Sequence, residues 1–253
     1  ARAELAKPWI DYISRNALML QQGRNVADVG YFYGEEAPLT ALMDTGQLTG
    51  TPRRYAYDFV SADALATSLK VDGNELVTSG GAHYRALYLG GSSRWMTLAT
   101  LRRLADLVEK GATVVGLRPE GNPGLGGDDS EYAALVAKLW PGGEEARVGR
   151  GRVLATTDIE LALAKLCATP DFAFSGASDG ADIPFVHREL ADGDSWFLVN
   201  RRDRTETIEA RFRVTGKAPE LWHAETGELE PVSYRIEDGT TVVPLTLQGD
   251  DSV

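Results

Sequence analysis

The chain has 253 residues, of which 43% are hydrophobic and 25% are charged, and this composition is typical of a globular protein with a sizeable buried core. Its formal net charge of −11 would repel a phosphate backbone, so nucleic acid is not expected as a partner. The apolar runs are far shorter than the roughly 20 residues needed to cross a bilayer, which argues against a membrane span.

The first predicted element is a helix that runs from Trp9 to Gln22. Apolar residues recur there at helical spacing and form one stripe. Pro8 suits the first turn of such a helix, and Gly23 suits its C-cap.

Strand-like and helix-like segments alternate over residues 24–178. The predicted strands are rich in β-branched and aromatic residues and cover residues 26–33, 55–60, 84–89, 112–117 and 151–155. The predicted helices cover residues 38–44, a segment starting at the N-cap Ser61, and residues 97–110, 130–140 and 158–167. This alternation predicts an α/β fold with an open, doubly wound and mostly parallel sheet of the flavodoxin type.

The pattern changes after Pro184 to an alternation of apolar and polar residues with period two. Residues 185–190, 195–200 and 207–214 show it, and Asp-Gly and Thr-Gly pairs separate the runs. This spacing predicts an antiparallel β-sandwich over residues 182–253, joined to the α/β domain by a small-residue linker at 175–181. Five or six strands would leave a sheet edge exposed, so we expect a partial, truncated sandwich.

The sequence offers no complete catalytic apparatus. Cys167, the single cysteine, ends a predicted helix instead of occupying a nucleophile elbow, and we expect a buried structural thiol. His83, His187 and His223 lack metal-ligand spacing, and for the last two a surface or cross-strand role is favoured over catalysis. The glycine-rich segment 121–127 lacks the Lys-Ser/Thr of a phosphate loop and is predicted to be a simple loop. We predict no catalytic residue, metal site or cofactor in this chain.

The clearest ligand signal follows two strands of the predicted sheet. Tyr31, Tyr33 and Glu35 end the first strand, and Trp95 lies beyond the strand at 84–89. Open α/β sheets bind ligands beyond the carboxyl ends of their strands, and aromatic rings beside carboxylates suit sugar rings. These four residues are therefore predicted to form a substrate-side surface. The alternative is that the two tyrosines, which share one face of the strand, pack under a helix.

Several segments resemble the C-terminal half of the α-L-rhamnosidases of glycoside hydrolase family 106. The matching runs are WIDYISRNALMLQQG from Trp9, VADVGYFYGE from Val26, YDFVSADAL from Tyr57, FVHR from Phe185 and APELWH from Ala218. Together they span nearly the whole chain. Residues 24–170 are also loosely similar to the amidotransferase-like domain of family 42 β-galactosidases.

The rhamnosidase resemblance implies that residues 1–23 form the last helix on a catalytic (β/α) barrel, which is absent from this chain. Asp11, Arg15 and Asn16 would then be polar contacts to the barrel, with an i,i+4 ion pair between Asp11 and Arg15 as the alternative. The resemblance places the catalytic glutamates and an assisting calcium in that barrel. It also implies that the parent enzyme hydrolyses terminal α-L-rhamnosides with inversion.

We therefore expect a fragment of a rhamnosidase-like enzyme, structural or accessory in role and inactive alone. Its parent would be periplasmic or secreted, although residues 1–7 show no secretory signal. One alternative is a stand-alone module that binds carbohydrate or a partner protein, and another is a small-molecule enzyme with a deep polar pocket beyond Tyr33 and Leu89. Without the barrel, the apolar side of the first helix should be exposed or covered by self-association.

Overall fold

The computed structural model describes residues 3–44, 48–124 and 128–253. The chain divides into two compact units. The α/β unit comprises Ala27–Ala168, and the β unit comprises Ala1–Val26 together with Thr169–Val253. Among the described helices, none combines the length and the hydropathy that a membrane span requires.

The helices and strands follow one another in chain order. The helices are α1 (Ala3–Leu20), α2 (Leu39–Asp44), α3 (Ala62–Thr67), α4 (Leu98–Lys110), α5 (Asp129–Leu139) and α6 (Ile159–Lys165). The first nine strands are β1 (Arg24–Asn25), β2 (Val29–Phe32), β3 (Tyr57–Val60), β4 (Lys70–Asp72), β5 (Glu75–Val77), β6 (His83–Tyr84), β7 (Ala86–Leu89), β8 (Thr113–Val115) and β9 (Glu145–Val148). The remaining strands are β10 (Gly151–Leu154), β11 (Phe172–Ser175), β12 (Phe185–Glu189), β13 (Asp194–Leu198), β14 (Glu206–Phe212), β15 (Glu220–Trp222), β16 (Leu229–Pro231), β17 (Arg235–Glu237) and β18 (Thr240–Leu247).

The α/β unit is built on a six-stranded sheet with the order β3-β2-β7-β8-β10-β9. Neighbouring strands in the run β3-β2-β7-β8-β10 are parallel, and β9 runs antiparallel to β10 at the edge. Every residue of β2, β7 and β8 is buried, as expected of parallel strands covered on both faces. The predicted parallel sheet is confirmed, and the unpredicted edge strand makes the sheet mixed.

Helices cover both faces of this sheet. On one face α4 and α5 bury Leu101, Leu104 and Val136, and on the other α6 buries Ile159 and Leu163. Local capping explains where the best predicted helix begins and ends. The hydroxyl of Thr97 accepts a hydrogen bond from the Thr100 N–H at 3.3 Å, and Gly111 ends the helix with a φ of 129° that favours glycine.

The β unit contains two facing sheets and a hairpin. A three-stranded sheet has the order β1-β12-β13, a four-stranded sheet has the order β11-β14-β18-β17, and β15 pairs with β16. Both sheets contribute side chains to one core, including Leu198 from β13 and Ile208 and Val243 from the facing sheet. The rings of Phe172 and Phe185 meet across this core with centroids 5.2 Å apart. The structure therefore provides a sandwich with more strands than the sequence indicated.

The two units divide the chain at different positions from those predicted. β11 pairs with β14 of the sandwich, so residues 169–178 belong to the β unit and not to the end of the α/β domain. The helix α1 groups with the β unit, begins at Ala3 and contains Pro8 in its interior instead of at its first turn.

Two other predictions are changed by the structure. Cys167 is exposed, not buried. It follows the end of α6 with a left-handed φ of 56°, and its N–H donates to the Ala164 carbonyl at 2.9 Å. The predicted loop at 121–127 falls partly on residues 125–127, which lie outside the described residues.

Candidate functional site

The α/β unit presents its ligand-binding edge where the strand order reverses. From β2 the chain moves to β3 on one side and then to β7 on the other, so β2 and β7 flank the switch point. Crevices at the carboxyl ends of such strands are the usual binding sites of open α/β sheets. The predicted residues after β2 and β7 lie at this edge, and the contacts of each decide what it can do.

Tyr31 is fully buried and belongs to the core of the α/β unit. Its hydroxyl donates to the Thr49 carbonyl at 2.7 Å and accepts from the Gly91 N–H at 3.1 Å. A Cβ placed on Gly90 would lie 2.2 Å from the ring, so the backbone approaches it closely. Burial raises the pKa of Tyr31 to about 12. The prediction of a sugar-facing surface is therefore wrong for this residue, since no part of the ring reaches solvent.

Glu35 is half-buried and fixes the first turn of α4. Its carboxylate accepts hydrogen bonds from the Thr97 N–H at 2.8 Å and from the Thr97 hydroxyl at 2.9 Å. Helix N-termini attract anions because their first N–H groups are unpaired and the helix dipole is positive there. The protein thus places its own carboxylate at the N-terminus of α4, bonded to the N-cap residue Thr97.

Tyr33 and Trp95 are both half-buried at the same edge. The carbonyl of Tyr33 accepts from the Ser92 N–H at 3.0 Å, which ties the loop after β2 to the loop after β7. Trp95 forms an isolated β-bridge with Gly121. A Cβ placed on Gly121 would lie 2.8 Å from the indole ring of Trp95, so the backbone approaches this ring closely. Each of the two residues is thus partly accessible to solvent.

Tyr132 on α5 carries a further polar group near this edge. Its hydroxyl is buried and has no hydrogen-bond partner among the described residues. Burial, together with the negative charge of Glu35, raises the pKa of Tyr132. Sequence reasoning missed this residue because its helix lies about a hundred positions after Glu35.

The predicted barrel contacts on α1 have different environments. Asp11 pairs with Lys7 at 2.5 Å, and this hydrogen bond lowers the pKa of Asp11. Arg15 donates to the Ala224 and Glu225 carbonyls, each at 2.8 Å, so its guanidinium holds a turn of the β unit. The alternative ion pair between Asp11 and Arg15 does not form, because each has another partner.

The opposite side of α1 exposes large apolar residues. Leu5, Trp9, Ile10 and Ile13 are 82%, 66%, 53% and 40% exposed. Leu5, Trp9 and Ile13 follow one another at intervals of four and therefore share one helix face. The predicted exposed apolar side of this helix is confirmed.

His187 lies at the centre of a buried charged cluster in the β unit. Its Nδ1 is 3.0 Å from an Asp171 carboxylate oxygen, its Nε2 is 2.9 Å from Asp194 Oδ1, and its ring stacks on Trp196 with centroids 4.0 Å apart. Each ring nitrogen therefore faces a carboxylate oxygen, which can accept a hydrogen bond from it. Asp171 is fully buried and also faces Arg213 at 3.6 Å. The cluster is a cross-strand clamp, in keeping with the role predicted for this histidine.

A cavity of about 540 Å³ lies within the β unit. Its walls come from the second half of α1, from β13 and from the β15–β16 hairpin. Side chains from these elements that line it include Asn16, Leu20, Ser195, Trp196, Trp222 and Leu229. Throughout the described ranges, no group of three or more His, Cys, Asp or Glu residues is arranged to hold a metal ion.

Comparison with known proteins first assigns a class, that of the glycoside hydrolases. The family model for α-L-rhamnosidases of glycoside hydrolase family 106 matches residues 1–236, and the chain belongs to this family. The resemblance inferred from the sequence motifs is therefore confirmed.

Two relatives match almost the entire chain. The rhamnosidase from Novosphingobium sp. PP1Y is 56% identical with a TM-score of 0.94, over 99% of this chain and 24% of that one. A Formosa agariphila protein provisionally named a β-glucuronidase is 35% identical over 98% of this chain and 20% of its own length. The chain thus spans about a quarter or less of the relatives that it matches.

A weaker likeness concerns the fold alone. The β-galactosidase from Bacillus circulans sp. alkalophilus is 11% identical with a TM-score of 0.51, over 92% of this chain and 41% of that one. The looser similarity to β-galactosidases that the sequence indicated is seen at this level.

Proposed function

We propose that the chain is an accessory region of an α-L-rhamnosidase, and that the complete enzyme hydrolyses terminal α-L-rhamnosides. The observation that carries this proposal is that the Glu35 carboxylate is hydrogen-bonded within the protein itself. At the edge where open α/β sheets bind ligands, its carboxylate is engaged by Thr97 and is not directed at a substrate. Hydrolysis of glycosides commonly needs two carboxyl groups facing one bond, so the catalytic pair would lie elsewhere in the enzyme.

The α/β unit is further proposed to be an amidotransferase-like domain of the flavodoxin type. Numbered by chain order, its parallel strands β3-β2-β7-β8-β10 follow the 2-1-3-4-5 arrangement of flavodoxin-like sheets. An amidotransferase would need a nucleophilic thiol at the ligand edge. The single cysteine, Cys167, instead follows α6, which favours a structural use of this fold.

The exposed face of α1 is proposed to dock on the catalytic barrel of the enzyme. Leu5, Trp9 and Ile13 form a continuous apolar stripe, and exposed stripes of this kind mark contact surfaces. Asp11 lies on the same helix, on the side away from the stripe, and would add a polar contact there. Any calcium that the reaction needs would be held by the barrel. Tyr33 and Trp95, each partly accessible, would form a wall near the substrate.

An activity assay on the isolated 253-residue chain tests the accessory role. We expect no release of aglycone from an aryl α-L-rhamnoside by this chain, and full activity from the complete enzyme. Turnover by the chain alone, abolished by Glu35→Gln, would refute the proposal.

The docking face is tested by association with the rest of the enzyme, supplied as a separate polypeptide. Trp9→Asp and Ile13→Asp should weaken complex formation at least tenfold in analytical ultracentrifugation. Leu161→Asp on α6 is the matched control, because Leu161 is 49% exposed and lies outside this face. Equal losses for all three variants would contradict the assignment of the face. A stand-alone binding module is not favoured, since the chain matches a rhamnosidase throughout.

A further inference from the structure

We propose that the cavity of the β unit binds a neutral sugar, such as one or two units of a rhamnose-containing oligosaccharide. The inference rests on the proposed function for the class of sugar, and on the cavity itself for everything else. No residue of this cavity is among those predicted to face substrate from the sequence.

The size of the cavity suits a small ligand. Its volume is about 540 Å³, and pockets for small molecules measure about 300–1,000 Å³. A disaccharide falls within this range. The cavity lies inside one compact unit, since α1 and the sandwich strands both belong to the β unit.

Aromatic rings provide apolar faces for the C–H side of a sugar. Trp222 is 45% exposed, and its indole N–H donates to Glu220 at 3.3 Å, which holds the ring in place. Trp196 is fixed by stacking on His187 and by packing against Phe212, with the ring centroids of Trp196 and Phe212 5.1 Å apart. Rigid tryptophans of this kind offer a large apolar surface at little cost in conformational entropy.

Uncharged polar groups supply hydrogen bonds for sugar hydroxyls. The Nε1–H of Trp196 is buried and has no acceptor in the part of the chain that the structure describes. An unpaired buried donor costs about 1–3 kcal/mol, and the Trp196 side chain itself belongs to the lining of the cavity. The Asn16 amide and the Ser195 hydroxyl line the same cavity and can donate and accept.

The charged side chains of the cavity favour a neutral ligand over an ionic one. Arg15 donates to two backbone carbonyls, and Lys217 donates to the Asp192 carbonyl at 2.6 Å. The ring of His223 pairs with Glu230 at 3.2 Å. These N–H groups are therefore engaged by the protein, while Glu220 and Glu228 add negative charge to the lining. The carboxylate of a uronic acid would face these acidic groups, whereas a 6-deoxy sugar would place its methyl group on apolar side chains.

Binding is tested by titrating the 253-residue chain with methyl α-L-rhamnoside and with a rhamnose disaccharide. Tryptophan fluorescence and saturation-transfer NMR should both report saturable binding, and glucuronic acid should bind at least tenfold more weakly. Trp222→Ala should lower the affinity at least tenfold, and Asn16→Ala should lower it several-fold. Trp9→Ala is the matched control, since Trp9 lies on the exposed face of α1, and it should bind as the unchanged chain does.

Four results would overturn the proposal, the first three from the sugar titrations. The first is that no sugar gives saturable binding. The second is that Trp222→Ala, with an unchanged circular dichroism spectrum, binds sugar as tightly as the unchanged chain. The third is that Trp9→Ala loses as much affinity as Trp222→Ala. Protection of Trp222 from fluorescence quenchers in the sugar-free complete enzyme would also overturn it, because another segment would then fill the cavity. Failure of the accessory role is distinguishable: turnover by the chain would contradict that role and leave sugar binding at the cavity intact.

Discussion

Replacement of Tyr31 by phenylalanine separates its structural role from a role in sugar binding. The ring is fully buried, so Phe fills the same space and only the hydroxyl is lost. That hydroxyl donates to the Thr49 carbonyl at 2.7 Å and accepts from the Gly91 N–H at 3.1 Å. Both backbone groups would lose this partner in Tyr31→Phe.

The expected loss of stability follows from these two bonds. Leaving a buried donor or acceptor unpaired costs about 1–3 kcal/mol, so Tyr31→Phe should lower the free energy of unfolding by about that amount at pH 8. Urea titration of the chain, followed by circular dichroism, measures the change. Tyr234→Phe is the control, because Tyr234 is 45% exposed and its replacement should leave stability unaltered.

The same residue predicts how stability changes at alkaline pH. Burial raises the pKa of Tyr31 to about 12, against about 10 for an unfolded tyrosine. Between these values the unfolded chain releases the proton first, so stability falls as pH rises from about 10 to about 12. At about 1.4 kcal/mol per pKa unit, the contribution of Tyr31 to this loss is at most about 2–3 kcal/mol.

The two effects combine into one measurable pattern. The stability difference between the unchanged chain and Tyr31→Phe should be largest at pH 8 and should shrink between pH 10 and pH 12, because phenylalanine does not titrate. An unchanged stability at pH 8, together with a loss of rhamnoside binding, would refute the structural role and restore the sugar-facing one.

The remaining predictions concern two carboxylate clusters. Glu35→Gln should lower the free energy of unfolding by about 1–2 kcal/mol, because it weakens the bonds to Thr97 and removes a favourable charge at the start of α4. A thermal-unfolding midpoint equal to that of the unchanged chain would contradict this. His187→Phe should cost about 1–3 kcal/mol, since the buried Asp171 carboxylate would lose its hydrogen bond to the ring and keep Arg213 at 3.6 Å. His223→Phe, at a more exposed position, is the control for calorimetry, and equal losses would refute the clamp.

Elements with strong local signals could be predicted from the sequence. The helix α4 begins and ends within one residue of its prediction because Thr97, Gly111 and a regular apolar stripe all specify it. Strands β9 and β11 were missed for the opposite reason. They are short, lie at sheet edges and carry several accessible residues. The sequence therefore shows neither a continuous apolar run nor a regular apolar–polar alternation at these positions.

The error on Tyr31 has a physical cause. A parallel strand covered by helices on both faces buries all its residues, so alternation no longer tells which side chain reaches solvent. The cluster around His187 was equally hidden, because Asp194 approaches it only once β12 and β13 pair, and Asp171 only once the sheets have packed. The cavity draws its walls from Asn16, Ser195 and Trp222, which lie far apart in the sequence.

The two units use their polar groups in opposite ways, and this contrast guides where function should be sought. In the α/β unit the ligand edge is closed by bonds between its own loops, with Glu35 at the helix terminus and Tyr31 inside the core. In the β unit the charged groups stabilise the packing of the strands, as in the His187 clamp, while Trp222 and the apolar stripe of α1 stay accessible. Accessible aromatic and apolar surface on a rigid frame favours contact with a sugar or with the rest of an enzyme over chemistry.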